Sequence, residues 1–195
     1  MIELKSYTDT ILLSLNSLIV TDSQGQAMDS EAGLAKWCRM ARNAKESNHT
    51  AYIVGNGASA MMASHMAADA SKNGKIKCLA FNDPALMTAV SNDISYDECF
   101  ALPLKRFAST GDILITISSS GTSPNIIKAI ETAKEMDMSV VTLSGMKEDN
   151  RSRKMGDLNF YVPADTYGIV ESSHQIILHC WLDRFIEETQ KKQDA

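Results

Sequence analysis

From Thr50 onward the sequence alternates short apolar runs, AYIVG, KCLAF, DILITI, MSVVTL and LNFYV, with helix-like segments between most of them. Strands separated by helices need crossover connections, and crossovers make a parallel sheet covered by helices on both faces. The pattern predicts a doubly wound α/β fold with five parallel strands. In such sheets ligands bind beyond the carboxyl ends of the strands, so the turns there are where chemistry is expected.

Residues 3–20 place Tyr7, Ile11, Leu12, Leu15 and Leu18 at intervals of three and four, which gives one apolar helical face. A second helix is expected to start after Asp29-Ser30, to carry Leu34, Trp37, Cys38 and Ala41 on a common face, and to end near Ser47. Residues 1–48 therefore read as a helical prefix, and 49–195 as an α/β core ending in a long helix, roughly Gly168 to Thr189, with a frayed, charged tail QKKQDA. No linker or repeat separates a second unit, so the 195 residues are expected to form one domain. A net charge of -5 without a basic run argues against a nucleic-acid binder. No apolar run approaches the roughly 20 residues of a membrane span, and the polar N-terminus lacks the regions of a signal peptide, so a cytoplasmic protein is expected. Cys38, Cys78, Cys99 and Cys180 form no CxxC pair and read as reduced packing residues.

Two strand-to-helix junctions stand out. The first, VGNGASAM at 54–61, admits two readings: a tight turn in which glycine supplies unusual backbone angles and Ser caps the next helix, or an anion seat at a helix N-terminus. The second follows DILITI and reads Ser118-Ser119-Ser120-Gly121-Thr122-Ser123-Pro124-Asn125 before the helix IIKAIETAKEM. Its hydroxyls lie beside backbone N–H groups, and Pro124 suits a first helical turn. That composition fits a phosphate, whereas one cap would need a single hydroxyl. No GxxxxGK[ST] lysine is present, so no nucleotide cofactor is expected.

The pair GNGAS at 55–59 and SSSGTSPN at 118–125, on strand ends of a parallel sheet, resembles the sugar isomerase (SIS) domain, a flavodoxin-like fold. The helical prefix, the Ser91-Asn92-Asp93 stretch and a long last helix bearing Glu171 and His179 make the whole chain similar to the sedoheptulose 7-phosphate (phosphoheptose) isomerases. The resemblance implies that Ser118, Ser119, Ser120 and Ser123 hold the sugar phosphate, with Asn56, Gly57 and Ser59 lining the same cleft and Asn92 and Glu171 contacting substrate. Two loops facing one cleft favour the ligand reading of the first junction.

His65 and Asp69, four apart, share one helix face, where they form either a local hydrogen-bonded pair or part of a site. The resembling isomerases carry His-x-x-x-Glu here, with the Glu as proton-transfer base. Asp69 keeps the carboxylate on a stem one methylene shorter. On the last helix Glu171, Gln175 and His179 recur every four residues as a polar stripe among apolar neighbours, which needs partners or a function. The resemblance makes His179 the catalytic histidine, with His174 a nearby alternative, and puts Glu171 where the family carries Gln. Asp93 reads as a helix cap or, by resemblance, as a catalytic residue at the reacting end of the sugar. His65, Asp69, Glu171 and His179 together supply two imidazoles and two carboxylates, a donor set suited to zinc, which some members of the family bind.

The resemblance implies an aldose–ketose isomerase that converts sedoheptulose 7-phosphate to D-glycero-D-manno-heptose 7-phosphate through an enediol, the entry step to bacterial surface heptoses. Asp69 is expected as base and His179 as acid. It also implies a homotetramer with clefts between subunits. Two other readings stay open: an isomerase of another phosphosugar, and a non-catalytic SIS module such as a DnaA-binding initiation regulator, which would not need His65, Asp69 and His179.

Overall fold

The computed structural model describes residues 1–193. In chain order the elements are α1 (Leu4–Asn16), β1 (Ile19–Asp22), β2 (Ala27–Met28), α2 (Ser30–Glu46), β3 (Thr50–Gly55), α3 (Ala58–Lys72), β4 (Lys77–Leu79), α4 (Pro84–Asp93), α5 (Ala101–Phe107), β5 (Ile113–Ser118), α6 (Pro124–Glu135), β6 (Ser139–Gly145), β7 (Leu158–Val162) and α7 (Tyr167–Gln193). Short 3-10 turns occupy Tyr96–Glu98 and Ser152–Lys154. No described helix is long and apolar enough to cross a membrane.

All seven strands form one sheet in the order β2-β1-β7-β6-β5-β3-β4. The five strands from β3 onward pair in parallel, as expected from their apolar runs. The other two correct the expected count of five: β1 lies antiparallel on β7, and β2 antiparallel on β1. They fall within the stretch read as a helical prefix. Leu18, Ile19 and Val20 continue the apolar period of α1, but the helix stops at Asn16 and the β-branched Ile19, Val20 and Thr21 extend as a strand between β2 and β7. Gly25, at φ 75°, turns the hairpin, and Asp22 Oδ1 accepts from the N–H groups of Gln24 and Gln26.

Alternate residues of the buried strands serve opposite layers, because side chains alternate along a strand. Ala51, Ile53, Ile113, Ile115, Ile117, Val141 and Leu143 face the layer holding α2, α3 and α7. Tyr52, Val54, Leu114 and Val140 face the layer of α5 and α6. In the first layer Trp37 of α2 stacks on Trp181 of α7, ring centroids 4.4 Å apart, and leans on Phe160. Arg42 donates to Glu188 at 2.7 Å, and Arg184 bridges Glu188 (2.9 Å) and Glu31 (2.8 Å), so α7 is clamped on α2. Burial pushes the Glu188 carboxyl up, but the two guanidinium groups outweigh it and hold it below the ordinary carboxylate value. The frayed tail expected from Gln190 is helical as far as Gln193; Asp194 and Ala195 lie outside the described residues.

The order of strands fixes where a ligand can sit. From β3 the chain steps one way to β4, then crosses back to place β5 on the other side of β3, and proceeds through β6 to β7. The direction reverses between β3 and β5, which leaves a crevice at their carboxyl ends. Gly55 ends β3 and pairs with Ile117, and Ser118 ends β5. Both polar loops singled out in the sequence leave from this point.

Candidate active site

The first loop is shaped by its glycines. A Cβ on Gly55 would lie 2.7 Å from Ser59, so glycine lets the first turn of α3 close onto the strand end. Gly57 holds the N-cap position with φ 57°, a left-handed angle that suits glycine. Ser59 therefore does not cap α3, contrary to the turn reading; it sits inside the helix, 4% exposed.

In the second loop Ser123 precedes Pro124 at the N-cap of α6, yet its side chain takes no amide from the helix. The hydroxyl is left for something else. Ser118 Oγ accepts from Gly121 N–H at 3.2 Å, and Ser120 Oγ accepts from Thr122 Oγ1 at 3.3 Å. Gly121, at φ 63°, lies so close to Asn150 that any side chain would collide with it. Asn150 backs the loop, donating to Lys147 O (2.8 Å) and Gly145 O (3.2 Å) while accepting from Arg153 N–H (3.1 Å). Ser119 Oγ is buried with no partner among the described residues. A buried hydroxyl left unpaired costs about 1–3 kcal/mol; Thr116 Oγ1 is left in the same state, but Ser119 lines a pocket, where a ligand could supply the missing partner.

Asn56, Ser59, Ser118, Ser119, Ser120 and Ser123 line one pocket of about 160 Å³, closed by Tyr167 and Glu171 from the first turns of α7. Ordinary ligand sites are roughly 300–1,000 Å³, so this one takes the end of a molecule, not a whole one. Two larger hollows are present: 710 Å³ between the β1–β2 hairpin and the loop at 148–154, and 860 Å³ along α7, where Gln175 and His179 line it. Both are open surface grooves; the unpaired hydroxyl singles out the small pocket.

A second group of side chains forms where α3 meets α7. His65 Nε2 lies 3.3 Å from Asp69 Oδ2, and the rings of His65 and His179 meet edge to face with centroids 5.4 Å apart. The donor atoms of His65, Asp69 and His179 all fall within 4.8 Å of one another. Two imidazoles and a carboxylate at that spacing fit a zinc ion with a position left open. Glu171 is the correction. Eight residues before His179, it stands about 12 Å away along the helix and about 80° around it, and belongs to the serine pocket, not to the metal-capable group. Between them Gln175 donates to the sulfur of Met66 on α3 at 3.6 Å.

His174 is fully buried, with Nε2 against Ser144 O at 3.1 Å, and burial pushes its pKa down to about 4. It is a neutral core residue, which leaves His179 as the histidine of α7 in the site. Asn92 and Asp93 end α4 on the surface, the Asn92 amide donating to Asp93 Oδ1 at 2.8 Å. Asp93 caps no helix; Asp83 caps α4, and Ser95 precedes the next turn. Three residues after Asp93, Tyr96 donates to Asn56 Oδ1 at 2.9 Å, which ties this segment to the first loop. Cys38, Cys78 and Cys99 are buried, whereas Cys180 is exposed on α7, against its expected packing role. Burial raises all four thiols, Cys38 and Cys78 to about 12, so none is a ready nucleophile.

Sequence reasoning passed over Tyr167, Tyr96, Asn125 and Asn150. Asn125 had a signal: an amide directly after the helix-opening proline, in a position that proves 1% exposed.

A sequence description of the SIS domain matches residues 20–145. The phosphoheptose isomerase of Shewanella denitrificans is 36% identical over 148 residues, covering 72% of this chain and 75% of that protein. Among solved structures, the phosphoheptose isomerase of Neisseria gonorrhoeae superposes with a TM-score of 0.74 at 26% identity, over 79% of this chain and 86% of that one. The phosphoheptose isomerase of Francisella tularensis gives a TM-score of 0.80 at 24% identity over 94% of both chains, a likeness of fold.

Proposed function

The chain belongs to the SIS domain family, among the phosphoheptose isomerases, and on that premise we propose that it interconverts sedoheptulose 7-phosphate and D-glycero-D-manno-heptose 7-phosphate. One observation carries the reading: a small hydroxyl-rich pocket with an unpaired Ser119 Oγ and a carboxylate–imidazole corner both use α7, through Glu171 and His179, which are eight residues or about 12 Å of helix rise apart. An extended seven-carbon phosphate spans about 10 Å from phosphorus to C1 on ordinary bond lengths. The phosphate then sits among Ser118, Ser119, Ser120, Ser123 and Ser59, with Asn56 and Gly57 on the facing loop, and C1 and C2 reach His65, Asp69 and His179. Glu171 and Tyr167 meet hydroxyls at the near end of the sugar. Asn92 and Asp93 end α4 at the surface three residues before Tyr96, and the family resemblance is what gives Asp93 an assisting part in proton transfer.

The steps follow from the groups available. Asp69 takes a proton from C1 while His179 protonates O2, which gives the enediol. The same carboxyl then returns its proton to C2 as O1–H passes its proton to His179, leaving the aldehyde and both side chains as they began. Of the Asp69 oxygens, Oδ2 faces His65 and Oδ1 is held only weakly by Asn73 at 3.5 Å, so its reach is not spent on an internal bond. Where zinc is bound, the His65, Asp69 and His179 donors would hold it, and its charge would steady the developing negative charge in place of the His179 proton, since a metal-bound imidazole cannot also be the imidazolium that protonates O2. Exposed apolar side chains, Leu12 and Leu13 on α1, Met61 on α3 and Ile176 on α7, support a homotetramer in which neighbouring copies cover these faces and wall the clefts.

The test is NMR of the purified protein with sedoheptulose 7-phosphate. Aldose signals with exchange of the transferred proton into solvent are expected. Stable substrate signals with undiminished binding would make the chain a binding module.

A further inference from the structure

The two loops are joined by a reciprocal amide pair. Asn56 Nδ2 donates to Asn125 Oδ1 at 2.9 Å, and Asn125 Nδ2 donates to Asn56 Oδ1 at 2.8 Å. A carboxamide can face either way, and the chain of contacts decides which. The backbone N–H of Ile126, in the first turn of α6, donates to Asn125 Oδ1 at 3.0 Å. That N–H also donates to Ser123 O at 3.1 Å, but an amide nitrogen only 3.0 Å from it would set donor against donor, so Asn125 presents oxygen to α6 and its nitrogen to Asn56. Asn56 must answer with oxygen, and that oxygen also accepts from Tyr96 at 2.9 Å. Asn125 Nδ2 has its second contact at Cys99 Sγ, 3.3 Å away, inside the fold.

Every acceptor position of Asn56 is thereby occupied, and one N–H remains for the pocket it lines. Asn125 has nothing left to offer a ligand. It is 1% exposed, and it does not line the pocket.

We infer that Asn125 is a positioning residue: through Asn56 it fixes the first loop so that the cleft meets its ligand with a donor and not an acceptor. This rests on the phosphosugar reading of the pocket, and it deepens that reading by stating which group of the ligand Asn56 takes, an acceptor oxygen such as one on a phosphate. The backbone of α6 sets Asn125, Asn125 sets Asn56, and the helix that carries the serine loop thus dictates the polarity of the opposite loop.

A double-mutant cycle with sedoheptulose 7-phosphate binding as the readout tests it. Asn125→Ala and Asn56→Ala should each weaken binding about tenfold, and the double variant should be no weaker than Asn56→Ala alone, because Asn125 acts through that residue. Additive losses would overturn the inference and leave the pocket assignment standing. Asn125→Asp keeps the shape and the bond to Ile126 but sets oxygen against Asn56 Oδ1; it should weaken binding at least as much as Asn125→Ala, and affinity equal to the wild type would also overturn the inference. It serves where the alanine variant fails to fold. In ligand-free protein, the Asn56 Nδ2 proton bonded to Asn125 should exchange more slowly with solvent than its geminal partner and be released by either Asn125 substitution. If the wild type binds no sedoheptulose 7-phosphate, the pocket reading falls, and this exchange decides the pairing by itself: slow exchange released by substitution supports it, and fast exchange in the wild type overturns it.

Discussion

The serine pocket and the corner formed by His65, Asp69 and His179 both rest against α7, yet they are built in opposite ways. The pocket is made mostly of groups that do not titrate, several of them buried: Ser59, Ser118 and Ser119 are each under 7% exposed, and its facing amide is locked by Asn125. The corner is made of titratable groups left partly in solvent, with the His65 side chain 55% exposed and that of Asp69 30%. A group that only holds an anion gains from being rigid and dry, because its donors then need no reordering when the ligand arrives. A group that moves protons must keep both protonation states accessible. On the proposed reading, holding and converting are separated in space, and they should separate under mutation.

The largest effect is expected at the corner. His179→Ala should lower kcat by about a thousandfold, in the usual range for a lost general acid or base, with binding of sedoheptulose 7-phosphate nearly unchanged. A comparable loss of binding in calorimetry would break the separation. The next concerns His174, one turn before His179's own turn on α7 but sealed in the core. Its folded pKa of about 4 lies below the ordinary 6.5, so the unfolded chain binds more protons between those values. The stability this group contributes is present above pH 6.5 and is lost as pH falls toward 4, by roughly 3 kcal/mol from the size of the shift. Urea melts at pH 7 and pH 5 should show the loss, and His174→Gln should flatten it without altering the pH profile of turnover.

Removing hydroxyls should act on the other side of the comparison. Ser119→Ala with Ser120→Ala should weaken phosphosugar binding by about tenfold to a hundredfold while the thermal midpoint holds, since neither hydroxyl bonds the core. Unchanged affinity in calorimetry would remove the loop from the site. The smallest effect is expected for metal uptake on Glu171→Gln: divalent ion affinity should stay where it was, whereas Asp69→Asn should lower it and acid should lower it in the wild type, as protons compete for the donors. Elemental analysis of the two variants distinguishes the cases, and zinc lost from Glu171→Gln would return that carboxylate to the corner.

How far each part could be read ahead depended on how local its cause was. The central parallel strands were legible because they bury both faces and so show as mostly apolar runs, as Ile113–Ser118 does, while the edge strand β4, exposed at Lys77 and Leu79, was read from the KCLAF run. The β1–β2 hairpin was not, because Ile19 and Val20 extend the helical period of α1 and nothing before Gly25 signals the change. The serine loop announced itself since its hydroxyls are contiguous. His65 and Asp69 were legible as a pair one helical turn apart. Glu171 lines the serine pocket and lies outside the three-residue donor group, and its spacing of eight from His179, about 12 Å of rise and about 80° of rotation, could have shown that separation in the sequence. Asn125 was invisible in its role, for its partner Asn56 is 69 residues away.

On the proposed reading, the run of α7 from Glu171 to His179 is a gauge block between the two ends of a substrate. A helix cannot be lengthened by small amounts: each added residue contributes about 1.5 Å but also turns everything beyond it by roughly 100°, which would swing His179 off the cleft. The gauge can be reset only in whole turns of about 5.4 Å, a coarser step than the length of one or two sugar carbons. Fine adjustment to the substrate therefore falls to side-chain stems, and a one-methylene difference such as Asp in place of Glu at position 69 is the increment available to it. Shorter sugar phosphates that fill the serine pocket equally well would lie bound and unconverted, and so act as inhibitors.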